Sequence, residues 1–196
     1  VPRSGADARR RLREAALELY RERGFDRTTA AEIAARAGVN ERTFFRHFPD
    51  KREVLFDGET ELRDALLRTI VELPREMGVF AVLLAAFRKS ARTLADNRPF
   101  AEPRWRVIAA TPALRERELA KHAALAEVVA EALRRRGVGD GVASLAARTG
   151  WAAYQHAVQA WLDNPGESLD AQLTRAFDDL CALAARPDTL ETAASD

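Results

Sequence analysis

Apolar residues recur three and four positions apart along almost the whole chain, and no sustained alternation with a period of two interrupts them. An α-helix turns once every 3.6 residues, so this spacing lays one apolar stripe along each segment, whereas a half-buried strand needs strict alternation. The chain is therefore expected to be all-α, and its punctuation divides it into about nine helices. Leu12, Ala15, Ala16, Leu19 and Tyr20 form a first stripe that stops at Gly24, with Phe25 behind it. Thr29 with Glu32 makes a capping box, Gly38 closes that second helix, and Asn40 can cap a third. Asp50 with Glu53 repeats the box and opens a long fourth helix through Leu55, Leu62, Leu66 and Ile70, stopped by Pro74. Later helices are expected at 79–95, 103–110, 112–136, 141–162 and 168–185, separated by Pro99, Pro103, the Thr111–Pro112 cap, "GVGDG" and "NPG".

A chain of 196 residues can bury a real core and suits one compact domain, or a small module joined to a larger one. The single cysteine, Cys181, excludes an intramolecular disulfide and a cysteine zinc cluster, so a reducing cytoplasm is the expected setting. The longest nearly apolar run, "GVFAVLLAAF" at 78–87, is about half of the ~20 residues a membrane-spanning helix needs, and no span is expected. The opening Val-Pro-Arg-Ser could be a vector-derived remnant and carries no weight in the expected fold. The segment 187–196 is polar enough to be a disordered tail.

Charge is unevenly spread. Residues 1–52 carry 13 Lys and Arg against 8 Asp and Glu, whereas residues 53–196 carry 18 against 22. This asymmetry suggests a short module, 1–52, that meets a polyanion, attached to a larger helical body, 53–186, that need not.

Within the basic module, "TTAAEIAARAGVNERTFFRHFPDK" at 28–51 reads as two short helices joined by a tight turn at Gly38, the helix-turn-helix plan. At 3.6 residues per turn, Arg42, Thr43, Arg46 and His47 fall within an arc of about 140° on the third helix, while Phe44 and Phe48 point to the other side. One face packs on the first two helices; the other is polar and cationic. Such a face fits the major groove of DNA, where Arg bonds guanine O6 and N7 and Thr meets a thymine methyl. Glu41 and Phe45 lie on its flanks. Lys51, the hydroxyls of Thr28 and Thr29 and the amides at that helix N-terminus are placed for phosphates. Arg9, Arg10 and Arg11 could reach the DNA backbone or a minor groove, or could be a solvated run. Two capped helices with a glycine turn could equally be part of a helical bundle.

Catalytic signals are missing. His47, His122 and His156 are the only histidines, and none follows a Glu by three positions. There is no Gly-rich phosphate loop, nucleophile elbow or His-Glu-x-x-His motif, and Cys181 has no argued His partner. No metal or cofactor is expected. A nonspecific nucleoid protein or a helical enzyme using scattered acids are the other classes.

The segment "TTAAEIAARAGVNERTFFRHFPDKREVLF" resembles the N-terminal domain of the TetR family of bacterial transcriptional regulators: a Thr-capped helix, an Ala-Gly-Val turn, a Thr-aromatic-aromatic recognition helix and an aromatic-x-x-Lys exit occur in that order. The match spans about 8–56. It implies a larger helical effector-binding and dimerisation body behind the head, with Thr29 as a phosphate contact. It further implies that Arg42 and Thr43 contact bases or backbone, that His47 does the same, and that Lys51 is a phosphate anchor. The second aromatic is usually Tyr in the family, with its hydroxyl on a phosphate. Here it is Phe45, so that contact is expected to be missing or replaced by van der Waals contact with sugar, with Arg46 expected to supply the grip by charge.

One module with few phosphate contacts reads too few bases, so a homodimer on a palindromic operator is expected, its recognition helices one or more turns of roughly 34 Å apart. The helix at 141–162 carries two apolar stripes, Val142, Leu145, Ala146, Thr149, Ala152 and Ala153 on one side, and Trp151, Tyr154, Val158, Trp161 and Leu162 on the other. Two stripes need two neighbours. In the family the two terminal helices pair with those of a mate, which makes Tyr154, Val158, Trp161, Leu173, Phe177 and Leu180 the expected dimer surface; the alternative buries every stripe within one subunit. Leu66, Phe87, Trp105, Ile108, Val128 and Trp151 could line an effector cavity or simply be core. The phrases "RTFFRHFPDK" and "ATPALRERELAKHAALAEVVAEAL" are similar to the branch of the family linked to acyl-CoA or fatty-acid-like ligands. Arg88, Arg104 and Arg106 are then candidates for the mouth of the cavity. The resemblance implies a ligand-responsive regulator, most simply a repressor released by its effector.

Overall fold

The computed structural model describes residues 5–185, and the segment 187–196 expected to be a disordered tail lies outside them. Among the described residues there are nine α-helices and no strand: α1 (Gly5–Arg23), α2 (Ala30–Arg36), α3 (Glu41–His47), α4 (Glu59–Glu72), α5 (Val79–Asp96), α6 (Arg98–Ala110), α7 (Pro112–Arg135), α8 (Asp140–Asp163) and α9 (Leu169–Ala185). A single 3-10 turn, Glu53–Phe56, stands between α3 and α4. None of these helices is long and apolar enough to cross a membrane.

The chain forms two compact units. One runs through Leu62 and takes in Asp96–His122; the other consists of Arg63–Ala95 and the chain from Ala123 onward. In the first unit, the buried stripe of α1 (Leu12, Ala16, Leu19) meets Ile33 of α2, Phe44 and Phe48 at α3, Leu55 of the 3-10 turn, Ile108 of α6 and Leu114 of α7. In the second, Leu66 and Ile70 of α4, Val82, Leu83 and Phe87 of α5, Val129 and Leu133 of α7, and Leu173 and Phe177 of α9 are buried. Phe87 anchors an aromatic cluster there, with ring centroids 5.7 Å from Trp151, 5.0 Å from Tyr154 and 6.1 Å from Phe177.

The expected continuous fourth helix is broken. Asp50 begins it as a cap, its carboxylate accepting from the amides of Arg52 and Glu53, but Glu53 does not complete the box: its carboxylate faces Arg117 and Lys121. Val54, Leu55 and Phe56, all buried, lie instead in the 3-10 turn Glu53–Phe56. The next α-helix starts after Gly58, whose φ of +93° is a conformation that residues with a Cβ rarely adopt. The sixth helix begins earlier than expected, at Arg98, so Pro103 lies inside it.

Most of the residues expected at a dimer surface are covered within one chain. Tyr154, Trp161, Leu173 and Phe177 are buried within one chain, and Val158 and Leu180 are half-buried. The aromatic stripe of α8 is consumed by α5 and α9, because its large rings fill the centre of the unit. Of the other stripe, Val142 (60%), Leu145 (69%) and Ala152 are exposed and Thr149 half-buried, whereas Ala146 and Ala153 are buried. The six residues expected around an effector are also split. Ile108 is wholly buried in the core of the first unit and Trp105 belongs to that unit, whereas Leu66, Phe87, Val128 and Trp151 belong to the second. Of the three arginines expected at the cavity mouth, Arg88 pairs with Asp170, Arg106 with Glu102, and Arg104 donates to the Leu55 carbonyl.

Candidate nucleic-acid interface

Local chemistry builds the reading head. Thr29 caps α2: its hydroxyl accepts from the amide of Glu32 (3.3 Å), and the Glu32 carboxylate accepts from the amide of Thr29 (2.8 Å), a complete capping box. The helix ends in a Schellman turn, with the amide of Val39 on the Ala34 carbonyl and that of Gly38 on the Ala35 carbonyl, which requires the positive φ (+67°) of Gly38. Asn40 then caps α3, its side chain accepting from the Thr43 amide at 2.8 Å. Both helices have seven residues, too short to persist alone. Phe44, fully buried, and Phe48 hold α3 down, with their rings 5.9 Å apart.

This anchoring turns Glu41, Arg42, Phe45 and Arg46 outward, with Thr43 and His47 half-buried. Among the described residues of the first three helices and their turns, most arginines are engaged. Arg9 binds Asp57, Arg10 binds Asp7 and Glu14, Arg11 donates to the Ala37 carbonyl, and Arg36 binds Glu18 and Glu22. The run Arg9–Arg11, which could reach DNA or be solvated, is paired within the head, Arg9 and Arg10 remaining exposed. Among the described residues, the Arg42 and Arg46 side chains meet no hydrogen-bond or ion-pair partner, and both are exposed. Two like charges four residues apart disfavour a helix, so this face is maintained against local stability.

Other expected contacts are turned inward. Thr28 is completely buried and its hydroxyl donates to the Gly24 carbonyl at 2.9 Å, which removes it from any phosphate. The exposed Thr29 donates its hydroxyl proton to Glu32 at 2.8 Å. Lys51 points its ammonium at the carbonyls of Phe25 and Thr28. His47 has its Nε2 shielded from solvent and unbonded. Burial first, then the charges of Arg46 and Arg9, lower its pKa against the opposing pull of Asp57. The imidazole is therefore a neutral group at pH 7, packed on the start of α1, and not a second cation beside Arg46.

An open groove of about 630 Å³ lies elsewhere in the first unit, lined by Tyr20, Arg23, Phe25, Arg106, Val107 and Thr111 among others. It shares no residue with the expected effector lining.

A capped helix, a Schellman turn and a short helix with one face in the core and free arginines on the other define a helix-turn-helix DNA-binding module, here joined to a second helical unit. Residues 12–57 match the model of the bacterial regulatory proteins of the tetR family, and residues 77–185 match the MftR C-terminal domain. The chain belongs to the TetR family of bacterial transcriptional regulators, with a C-terminal domain of the MftR type. A Mycobacterium tuberculosis protein assigned as the mycofactocin biosynthesis transcriptional regulator MftR is 28% identical over 179 residues, covering 85% of this chain and 86% of that protein. The regulator TcmR of Streptomyces glaucescens is 36% identical over 77 residues, covering 39% of this chain and 34% of that protein. Among solved structures, the Thermus thermophilus TetR-family repressor FadR, in complex with lauroyl-CoA, superposes with a TM-score of 0.56 at 28% identity, covering 96% of this chain and 98% of FadR.

Proposed function

We propose that this transcriptional regulator reads a palindromic operator as a homodimer, that residues 1–52 do the reading, and that residues 53–186 pair the subunits and take an acyl-CoA or fatty-acid-like effector. The observation that carries the reading is the pair of unpaired, exposed arginines on α3, Arg42 and Arg46. Glu41, Thr43 and Phe45 complete the face laid against the bases. His47 can offer only its Nδ1 edge, and the α2 amides near Thr29 serve phosphates.

The pairing surface is the outward stripe of α8, Val142, Leu145 and Ala152, with Leu183 of α9, which is 76% exposed. Uncovered leucines of this kind are ordinary singly, but a stripe of them beside a packed helix pair suits a self-complementary contact. For the effector, the similarity to the lauroyl-CoA complex of FadR supports an acyl chain inserted among Leu66, Phe87, Val128 and Trp151. The effector acts only through its difference in affinity between the DNA-bound and free arrangements. The regulator is a repressor that the effector releases.

The test is retention of duplex fragments selected from a random library. Specific, palindrome-dependent binding is expected, with a steep salt dependence from counterion release. Arg42→Ala is expected to relax preference at one base pair by about 1–3 kcal/mol. Binding that depends only on fragment length would replace this reading with a nucleoid-type function. Addition of lauroyl-CoA or lauric acid is expected to release the DNA, and indifference to both removes the ligand class.

A further inference from the structure

The ammonium of Lys51 ties together stretches of chain well separated in sequence. Its Nζ donates to the carbonyl oxygens of Phe25 at 2.9 Å and of Thr28 at 2.8 Å, and stands 4.2 Å from the centre of the Phe25 ring. The Tyr20 hydroxyl donates to the backbone carbonyl of Lys51 itself at 2.5 Å, and the Tyr20 and Phe25 rings meet edge to face at 5.3 Å. Phe25–Thr28 is the turn that delivers Thr29, the N-cap of α2. The lysine therefore fastens the segment leaving α3 to the segment entering α2.

We propose that Lys51 is a positioning residue: it acts on DNA by fixing the N-terminus of α2 relative to α3, and not by neutralising a phosphate. The inference rests on the DNA-binding reading above. A phosphate anchor holds its charge outward, as Arg42 and Arg46 do. Here two of the three ammonium N–H groups are committed to peptide carbonyls, and the charge lies against the face of an aromatic ring. Helices of seven residues have little stability of their own, so the angle between α2 and α3 depends on such ties. A hydrogen bond from an α2 amide to a phosphate weakens steeply once its geometry slips. Loss of the latch thus costs DNA affinity at a distance, without removing a charge contact.

The two roles differ in salt dependence. Dissociation constants for a duplex enriched by the wild-type chain are measured across salt concentrations for wild type, Lys51→Met and Tyr20→Phe. The temperature is one at which circular dichroism shows each to be folded, so global destabilisation alone moves neither affinity nor slope. Lys51→Met is expected to raise Kd about tenfold, the scale of one lost charge-assisted hydrogen bond, with the slope of log K against log salt within about 0.3 per chain of wild type. Tyr20→Phe keeps the ammonium and is expected to weaken binding in the same sense, with a double variant less than additive. A slope shallower by about 0.9 per chain in Lys51→Met means a direct phosphate contact and overturns the inference, as does an unchanged Kd. Should Lys51→Met fail to fold, Tyr20→Phe decides: undiminished binding overturns the latch. Failure of the wild-type chain to enrich any duplex would instead sink the DNA-binding reading, and the inference with it.

Discussion

Replacing Phe44 and Phe45 by Ala, one at a time, sets the two faces of α3 against each other using adjacent residues of one type. Phe44 is fully buried, with its ring 5.2 Å from Phe45 and 5.9 Å from Phe48. Truncating such a ring costs about 3–5 kcal/mol, transfer and cavity terms together. Phe45 is 52% exposed, so it retains only about half of the ~1.5–3 kcal/mol that full burial contributes. Its edge-to-face contact with Phe44 adds on the order of 0.5–1 kcal/mol, while the better helix propensity of Ala returns about 0.5 kcal/mol. The expected net cost of Phe45→Ala is about 1 kcal/mol, leaving the two variants at least about 2 kcal/mol apart. Amide hydrogen exchange across α1–α3 gives the opening free energy of the head itself, free of any separate transition in the second unit. DNA binding should invert the order once each variant is assayed folded, with Phe45→Ala weakening retention and changing preference beside the base it covers. Equal stability losses, or a Phe45→Ala variant that binds DNA as wild type does, would refute the assignment of faces.

Lys121 bonds Glu59 and lies 3.1 Å from Glu53, all three largely shielded from solvent. Lys121→Met takes the bonded cation from Glu59 and leaves Glu53 with Arg117 alone, and a loss of about 1–3 kcal/mol in thermal unfolding is expected after discounting for partial exposure. His122 is held down to about 4 from an ordinary 6.5, mainly by burial and secondarily by Arg104, with Glu59 opposing. Between those two values the unfolded chain takes up a proton that the folded chain refuses, so stability present above pH 6.5 is lost as pH falls toward about 4. Wild type should lose on the order of 2 kcal/mol more than His122→Gln over that interval, read by urea unfolding at each pH. Leu145→Glu is expected to leave the fold intact and yield a monomer by light scattering; an undisturbed dimer would move the pairing surface elsewhere.

The elements of the head were legible because their causes are local. Thr29 with Glu32, Asn40 with the amide of Thr43, and the turn at Gly38 act within five residues of chain, and the opposition of Phe44 and Phe48 to Arg42 and Arg46 follows from helix geometry alone. The recognition face could therefore be drawn before any tertiary contact was known. Periodicity names the residues that share a face; it does not name the neighbour that face will meet. That limit is why the aromatic stripe of α8 reads as suited to a mate although its rings pack within their own unit, and why Ile108 reads as either cavity lining or core when it fills the core of the first unit. It also hid the break between the 3-10 turn Glu53–Phe56 and the helix that begins after Gly58. Polar partners escaped for the same reason. Arg9 meets Asp57 and Lys51 meets Phe25 and Thr28 across 23 to 48 residues of sequence, and no rule of spacing predicts such meetings. The sequence alone determined helices, caps and one outward cationic rim. Tertiary structure decided which cations stay free for DNA, because a charge remains available only where folding brings no carbonyl or carboxylate within reach.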